Sequence, residues 1–167
     1  MNFTGDLQYW QLDSDMKNWS LIWWEPKDKC SVFNICGNFG TCNGNNKLPC
    51  KCLPGFKPIS SEKWKARDFK DGCSRNTSCG NVFLRLKRMK VEYSGISYKA
   101  KDETDCREEC LKSCQCQAYS YVVRLIDHTI SCLTWTENLK DLQEDQDGGY
   151  DLYVRVAPSD IGTFLFT

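Results

Sequence analysis

The sequence holds one histidine, no surplus of either charge and no long apolar run, and each shortage removes a class of function. With 22 Lys and Arg against 22 Asp and Glu it has no basic field to draw in nucleic acid, so no nucleic-acid partner is expected. No stretch approaches the ~20 consecutive apolar residues of a membrane span. The opening residues, Met1-Asn2-Phe3-Thr4-Gly5-Asp6, show neither a charged n-region nor an apolar h-region. The sequence as it stands is therefore expected to lack both an export signal and a transmembrane helix. His128 beside Asp127, with any of several serines, could be drawn as a triad, and a secreted hydrolase is the remote alternative. A histidine in a polar hairpin turn is far more often solvated, and no nucleophile elbow or phosphate-cradling glycine loop accompanies it. No catalytic residue and no cofactor is expected.

Cysteine, by contrast, is abundant. Eleven of the twelve lie between Cys30 and Cys116, a density that marks a disulfide scaffold, because modules this small bury too little apolar surface to hold without staples. Zinc is the competing explanation, through Cys50 and Cys52 or Cys114 and Cys116. Structural zinc sites usually take paired ligands two to four residues apart, whereas these pairs are separated by one residue, so no metal is expected. Disulfides need an oxidising compartment, and the sequons at Asn2, Asn18 and Asn76 fit passage through the secretory pathway.

Three compositions succeed one another. Residues 7–12 and 19–24 read as two strands about Asp13-Ser14-Asp15 and hold four of the six tryptophans, an aromatic ribbon that needs something to pack on. From Lys27 to about Cys79, cysteines alternate with Gly, Asn and Pro, which predicts turns and short strands with no helix required. Beyond it, Val82–Lys87 alternates as a strand. A short helix follows, capped by Asp102 or Thr104, with Cys106 and Cys110 on one face. Strands are then expected over 116–123, 130–135 and 150–156, with a polar turn at Asp127 and His128. Ala157-Pro158-Ser159-Asp160 reads as a linker into a tail. Arg85, Lys87, Arg88 and Lys90 form a basic stretch that reads as a wet strand face. The acidic loop from Glu137 to Asp147 reads as solvated surface that could complement it, within one molecule or between two.

In the middle segment, Cys30, Cys36, Cys42, Cys50, Cys52 and Cys73, with the element Cys50-Lys51-Cys52-Leu53-Pro54-Gly55-Phe56, resemble an epidermal-growth-factor-like module. The resemblance implies bridges Cys30–Cys42, Cys36–Cys50 and Cys52–Cys73. Calcium-binding members carry acidic and amide ligands before the first cysteine; Pro26-Lys27-Asp28-Lys29 offers one carboxylate between two lysines, so no calcium site is expected. The C-terminal segment resembles a PAN/apple module, which implies Cys106–Cys132 and Cys110–Cys116 and leaves Cys79 and Cys114 to each other. The order of the parts, with Trp19-Ser20-Leu21-Ile22-Trp23, Cys36-Gly37-Asn38-Phe39-Gly40-Thr41-Cys42, Cys110-Leu111-Lys112-Ser113-Cys114-Gln115-Cys116 and Gly149-Tyr150-Asp151-Leu152-Tyr153-Val154-Arg155, resembles the ectodomain of plant S-domain (G-type lectin) receptor-like kinases and S-locus glycoproteins.

That resemblance implies a disulfide-rich, mainly β fold with one short helix. It divides the chain into the closing hairpin of an S-locus glycoprotein domain (1–26), an EGF-like module (27–79), a PAN/apple module (80–157) and a tail (158–167). The last module is expected to carry most of the regular structure and to fold alone if Cys79 is kept. Relatives begin with β-prism lectin domains, and the receptors end in a membrane helix and a kinase; none is expected here, so the chain should not be an enzyme. The resemblance further implies an extracellular or cell-surface location, a protein or peptide ligand and a homodimer as one arrangement, in recognition of pollen and cell-surface signalling. Carbohydrate binding would fall to the β-prism domains. A truncated product without independent activity is the leading alternative, and ligand-contact residues are not assigned.

Overall fold

A computed structural model describes residues 7–76, 79–92, 95–124, 126 and 128–161. The aromatic ribbon is an antiparallel hairpin of β1 (Leu7–Leu12) and β2 (Trp19–Glu25). Leu12 lies opposite Trp19 and Leu7 opposite Glu25, with a slip in register at Tyr9/Trp10. Asp13 N donates to Asn18 O (2.9 Å) to close the turn.

The cysteine-dense segment follows the pattern of turns and three-residue strands. Asp28, two residues ahead of the first cysteine, accepts from Cys30 N (2.9 Å) and caps a 3-10 turn at Lys29–Ser31. β3 (Gly40–Cys42) and β4 (Cys50–Cys52) pair antiparallel. Next come β5 (Phe56–Pro58), a helix α1 (Ser61–Lys65), and β6 (Cys73–Arg75), which pairs with β5. The single helical turn α1 corrects the helix-free expectation. Ser60 Oγ accepts from Lys63 N, Glu62 sits in the first turn, and Trp64 anchors the turn edge-on against Phe69 at 4.8 Å. Gly55 turns the chain at φ +77°, a conformation side chains disfavour, and Phe56 beyond it stacks on Phe39 at 4.6 Å.

The remaining elements are β7 (Val82–Met89), β8 (Ile96–Ala100), α2 (Glu103–Leu111), β9 (Ala118–Val123), β10 (Ile130–Trp135), β11 (Leu142–Gln143), β12 (Tyr150–Val156) and α3 (Pro158–Ile161). Five of the strands form an antiparallel sheet in the order β7-β12-β9-β10-β8. Asp102 is the helix cap, accepting from Asp105 N (3.0 Å). Strand alternation sorts the sheet's side chains into two layers. Phe83, Tyr119, Tyr121, Cys132 and Tyr153 pack with Cys106 and Cys110 of α2. Ala118, Leu133, Trp135, Leu152, Val154 and Val156 pack on the opposite side.

That second layer is closed by the cysteine-dense segment, through Phe39, Leu53, Phe56 and Cys73. The C-terminal sheet thus shares its core with the segment before it. The acidic loop is the second correction. Leu139 and Leu142 are buried in this core, and β11 pairs parallel with β3, Leu142 opposite Thr41 and Gln143 opposite Cys42. Glu137, Asn138, Asp145 and Asp147 remain exposed. The linker is the third: α3 packs back on the body, with Ile161 against the core and Asp160 buried, its carboxylate accepting from Ala157 N. The whole is a small, disulfide-rich, mainly β fold with a few short helices.

Candidate functional site

Two features bear on function: a polar seam within the body and an exposed aromatic surface. At the seam, Arg155 occupies an inward position of β12, 4% exposed, and spends its guanidinium on carbonyls. Nε donates to Gly80 O (2.6 Å), and Nη1 to Cys110 O (3.0 Å) and Ser113 O (2.6 Å). Nη2 adds Leu111 O at 3.4 Å. A cation at the last carbonyls of α2 satisfies groups the helix cannot satisfy itself and opposes the negative end of its dipole. Burial lowers the pKa of Arg155 from its ordinary value. Arg75 joins the network from β6, donating to Arg155 O (2.5 Å) and Gln117 Oε1 (2.6 Å) while covering the Phe56 ring. Its pKa is lowered too, first by burial and then by the Arg155 charge.

A second clamp joins the first cysteine loop to the acidic loop. Asn34 N donates to Asp141 Oδ1 and Asp141 N to Asn34 Oδ1, both at 3.0 Å. Around it Lys90 pairs with Asp141 (3.6 Å), Lys51 with Glu144 (2.9 Å) and Arg88 with Asp145 (2.8 Å). Acidic loop and basic stretch therefore complement each other within one molecule. Sequence reading missed Arg155, Arg75 and the Asn34–Asp141 exchange. One signal was available: Arg155 stands between Val154 and Val156 on the same alternating face as Tyr153.

Bridges join Cys30 to Cys42, Cys36 to Cys50, Cys52 to Cys73, Cys79 to Cys114, Cys106 to Cys132 and Cys110 to Cys116. The sulfurs of Cys36, Cys42 and Cys50 lie close enough to hold an ion, but all three are committed to disulfides, which leaves no thiolate to bind one. Asn18 lies exposed in the hairpin turn, and Asn76 is exposed just after β6, its N–H bound to Gly55 O. Asn2 and Asp127 lie outside the described residues. His128 is exposed at φ 52°, and no hydrogen bond joins it to a serine among the described residues.

The aromatic surface is the hairpin itself. Leu7, Tyr9, Trp10, Trp19, Leu21, Ile22, Trp23 and Trp24 are all exposed, with Trp19 at 64% and Ile22 at 53%. Two strands alone are marginal in water, so a contiguous apolar surface of this kind needs something to pack on, as expected of the closing hairpin of a larger domain.

The body is a six-disulfide, mainly β fold. The S-locus glycoprotein domain matches residues 1–60, running from the hairpin into the cysteine-dense segment, and a PAN-like domain matches residues 73–142. A G-type lectin S-receptor-like serine/threonine-protein kinase of Arabidopsis thaliana is 44% identical over 99% of this chain. The receptor-like serine/threonine-protein kinases SD1-8 and SD1-7 of the same plant are 37% and 35% identical over 95% and 96% of it. Over the segment it spans, the chain is similar to part of the S-locus glycoprotein and S-domain receptor-like kinases. It spans about a fifth of the length of these relatives, 20%, 19% and 20% respectively. Among the described residues no helix is long and apolar enough to cross a membrane.

Proposed function

We propose that this segment is a non-catalytic, extracellular recognition and dimerisation element of an S-domain receptor-like protein, of the kind implicated in recognition of pollen and in cell-surface signalling. Its partner is protein: a protein or peptide ligand, and a second copy of the segment. Residues 27–79 act as an EGF-like module and residues 80–157 as a PAN module, with β3–β11 pairing and the shared core between them. The observation that supports the reading is the six-bridge body over which the S-locus glycoprotein and PAN-like matches run, with an exposed aromatic hairpin ahead of it. The six bridges support an oxidising, extracellular setting. Sedimentation velocity of the secreted, oxidised chain tests it. Concentration-dependent dimers that disappear in the Trp19→Ser/Trp23→Ser variant are expected. A monomer at all concentrations in both proteins sinks the dimerisation reading.

A further inference from the structure

The six disulfides are not equally protected. Five have at least one cysteine deeply buried, and in four of those both are; Cys52 is half-buried opposite buried Cys73. At Cys79–Cys114 both cysteines are exposed. An attacking thiolate must approach one sulfur from behind the S–S bond, so access decides which bridge opens first.

We propose that Cys79–Cys114 is a site of reversible thiol–disulfide exchange, opened by a dithiol reductant of the Cys-x-x-Cys oxidoreductase type while the rest of the fold stays intact. A reductant thiolate attacks one sulfur and forms a mixed disulfide, and the other cysteine leaves as thiolate. The reductant's second thiol then displaces the first cysteine. The products are two protein thiols and the oxidised reductant, so two electrons pass from the reductant to the bridge.

Two features of the seam favour this chemistry. Arg155 binds the carbonyls of Gly80 and Ser113, the residues next to Cys79 and Cys114, which brings a guanidinium to the backbone flanking the bridge. Positive charge nearby stabilises attacking and departing thiolates alike. The same hydrogen bonds hold Gly80 to the end of α2 without the bridge, and Val82 remains paired with Val156. Opening the bridge therefore leaves sheet and helix in their places.

The test is graded reduction of the full oxidised chain, first with dithiothreitol and then with a thioredoxin-type protein. Aliquots are alkylated with N-ethylmaleimide and mapped by peptide mass. Cys79 and Cys114 should be labelled at least about tenfold faster than any other pair, with the near-ultraviolet circular dichroism preserved and the bridge restored on reoxidation. A different pair opening first, or all pairs opening together as the dichroism collapses, overturns the proposal. The Cys79→Ser/Cys114→Ser double variant supplies the second arm. It should fold with five bridges and lose the fast labelling, and failure to fold would make the bridge an obligatory staple and defeat the proposal.

Discussion

Arg155→Met tests whether the buried guanidinium at the seam holds the body together. The substitution keeps length and apolar bulk but removes every donor. Ser113 O retains a second partner in Cys116 N (3.1 Å), and the contact to Leu111 O is long at 3.4 Å. Gly80 O and Cys110 O bear the loss. Each buried carbonyl left without a donor costs about 1–3 kcal/mol, and losing the cation at the helix C-terminus adds about 0.3–1 kcal/mol. Relief from burying a charge offsets part of this, so a net destabilisation of about 3 kcal/mol is expected. Urea unfolding with all bridges intact, followed by near-ultraviolet circular dichroism, measures it. Arg85→Met, which breaks only the exposed pair with Asp151, is the control and should leave the midpoint in place. An Arg155→Met midpoint equal to wild type would refute the assignment of the seam to this side chain.

Residues 79–161 expressed alone should bind a hydrophobic dye and lack fixed near-ultraviolet dichroism, because Leu152, Val154 and Trp135 lose the cover of Phe39, Leu53 and Phe56; a well-ordered monomer would contradict the shared core. Cys110→Ser, which removes a staple inside the α2 layer and frees Cys116, should cost about 2–5 kcal/mol in the same urea assay. Burial first, and then the Glu103 charge, push the Tyr119 pKa up to about 12, and burial first raises Tyr153 as well. Because these folded-state values exceed the ordinary tyrosine value, their contribution to stability is complete below about pH 10 and is lost as the pH rises through the folded values. Tyrosinate absorbance should therefore rise together with alkaline unfolding; ionisation of all tyrosines in a fully folded protein would contradict the packing.

The sequence made the elements with a clear period readable. Alternation placed β10 and β12, and the Asp102 cap with cysteines four apart placed α2, because each depends on local pattern alone. What escaped was decided between segments. β11 has two residues and pairs with a strand a hundred positions earlier, so no local period announces it. Leu139 and Leu142 sit in an acidic loop whose composition reads as surface, and their burial follows from the face that Phe39 and Leu53 present to them. The Pro158–Ile161 turn has linker composition and is held by packing against the body. Arg155 was visible only as an anomaly of type at an inward strand position, and its role depends on where α2 ends.

Nuclear magnetic resonance of the six indole N–H groups across a dilution series tests the recognition reading most directly. The oxidised, secreted chain should show concentration-dependent shifts for Trp10, Trp19, Trp23 and Trp24 on the hairpin, while Trp135, fixed in the shared core by its Nε1 bond to Glu92 O (3.1 Å), stays in place. Hairpin signals that hold constant over the whole series, in a particle of monomer mass, would contradict the claim that this aromatic surface is where the segment meets its partner.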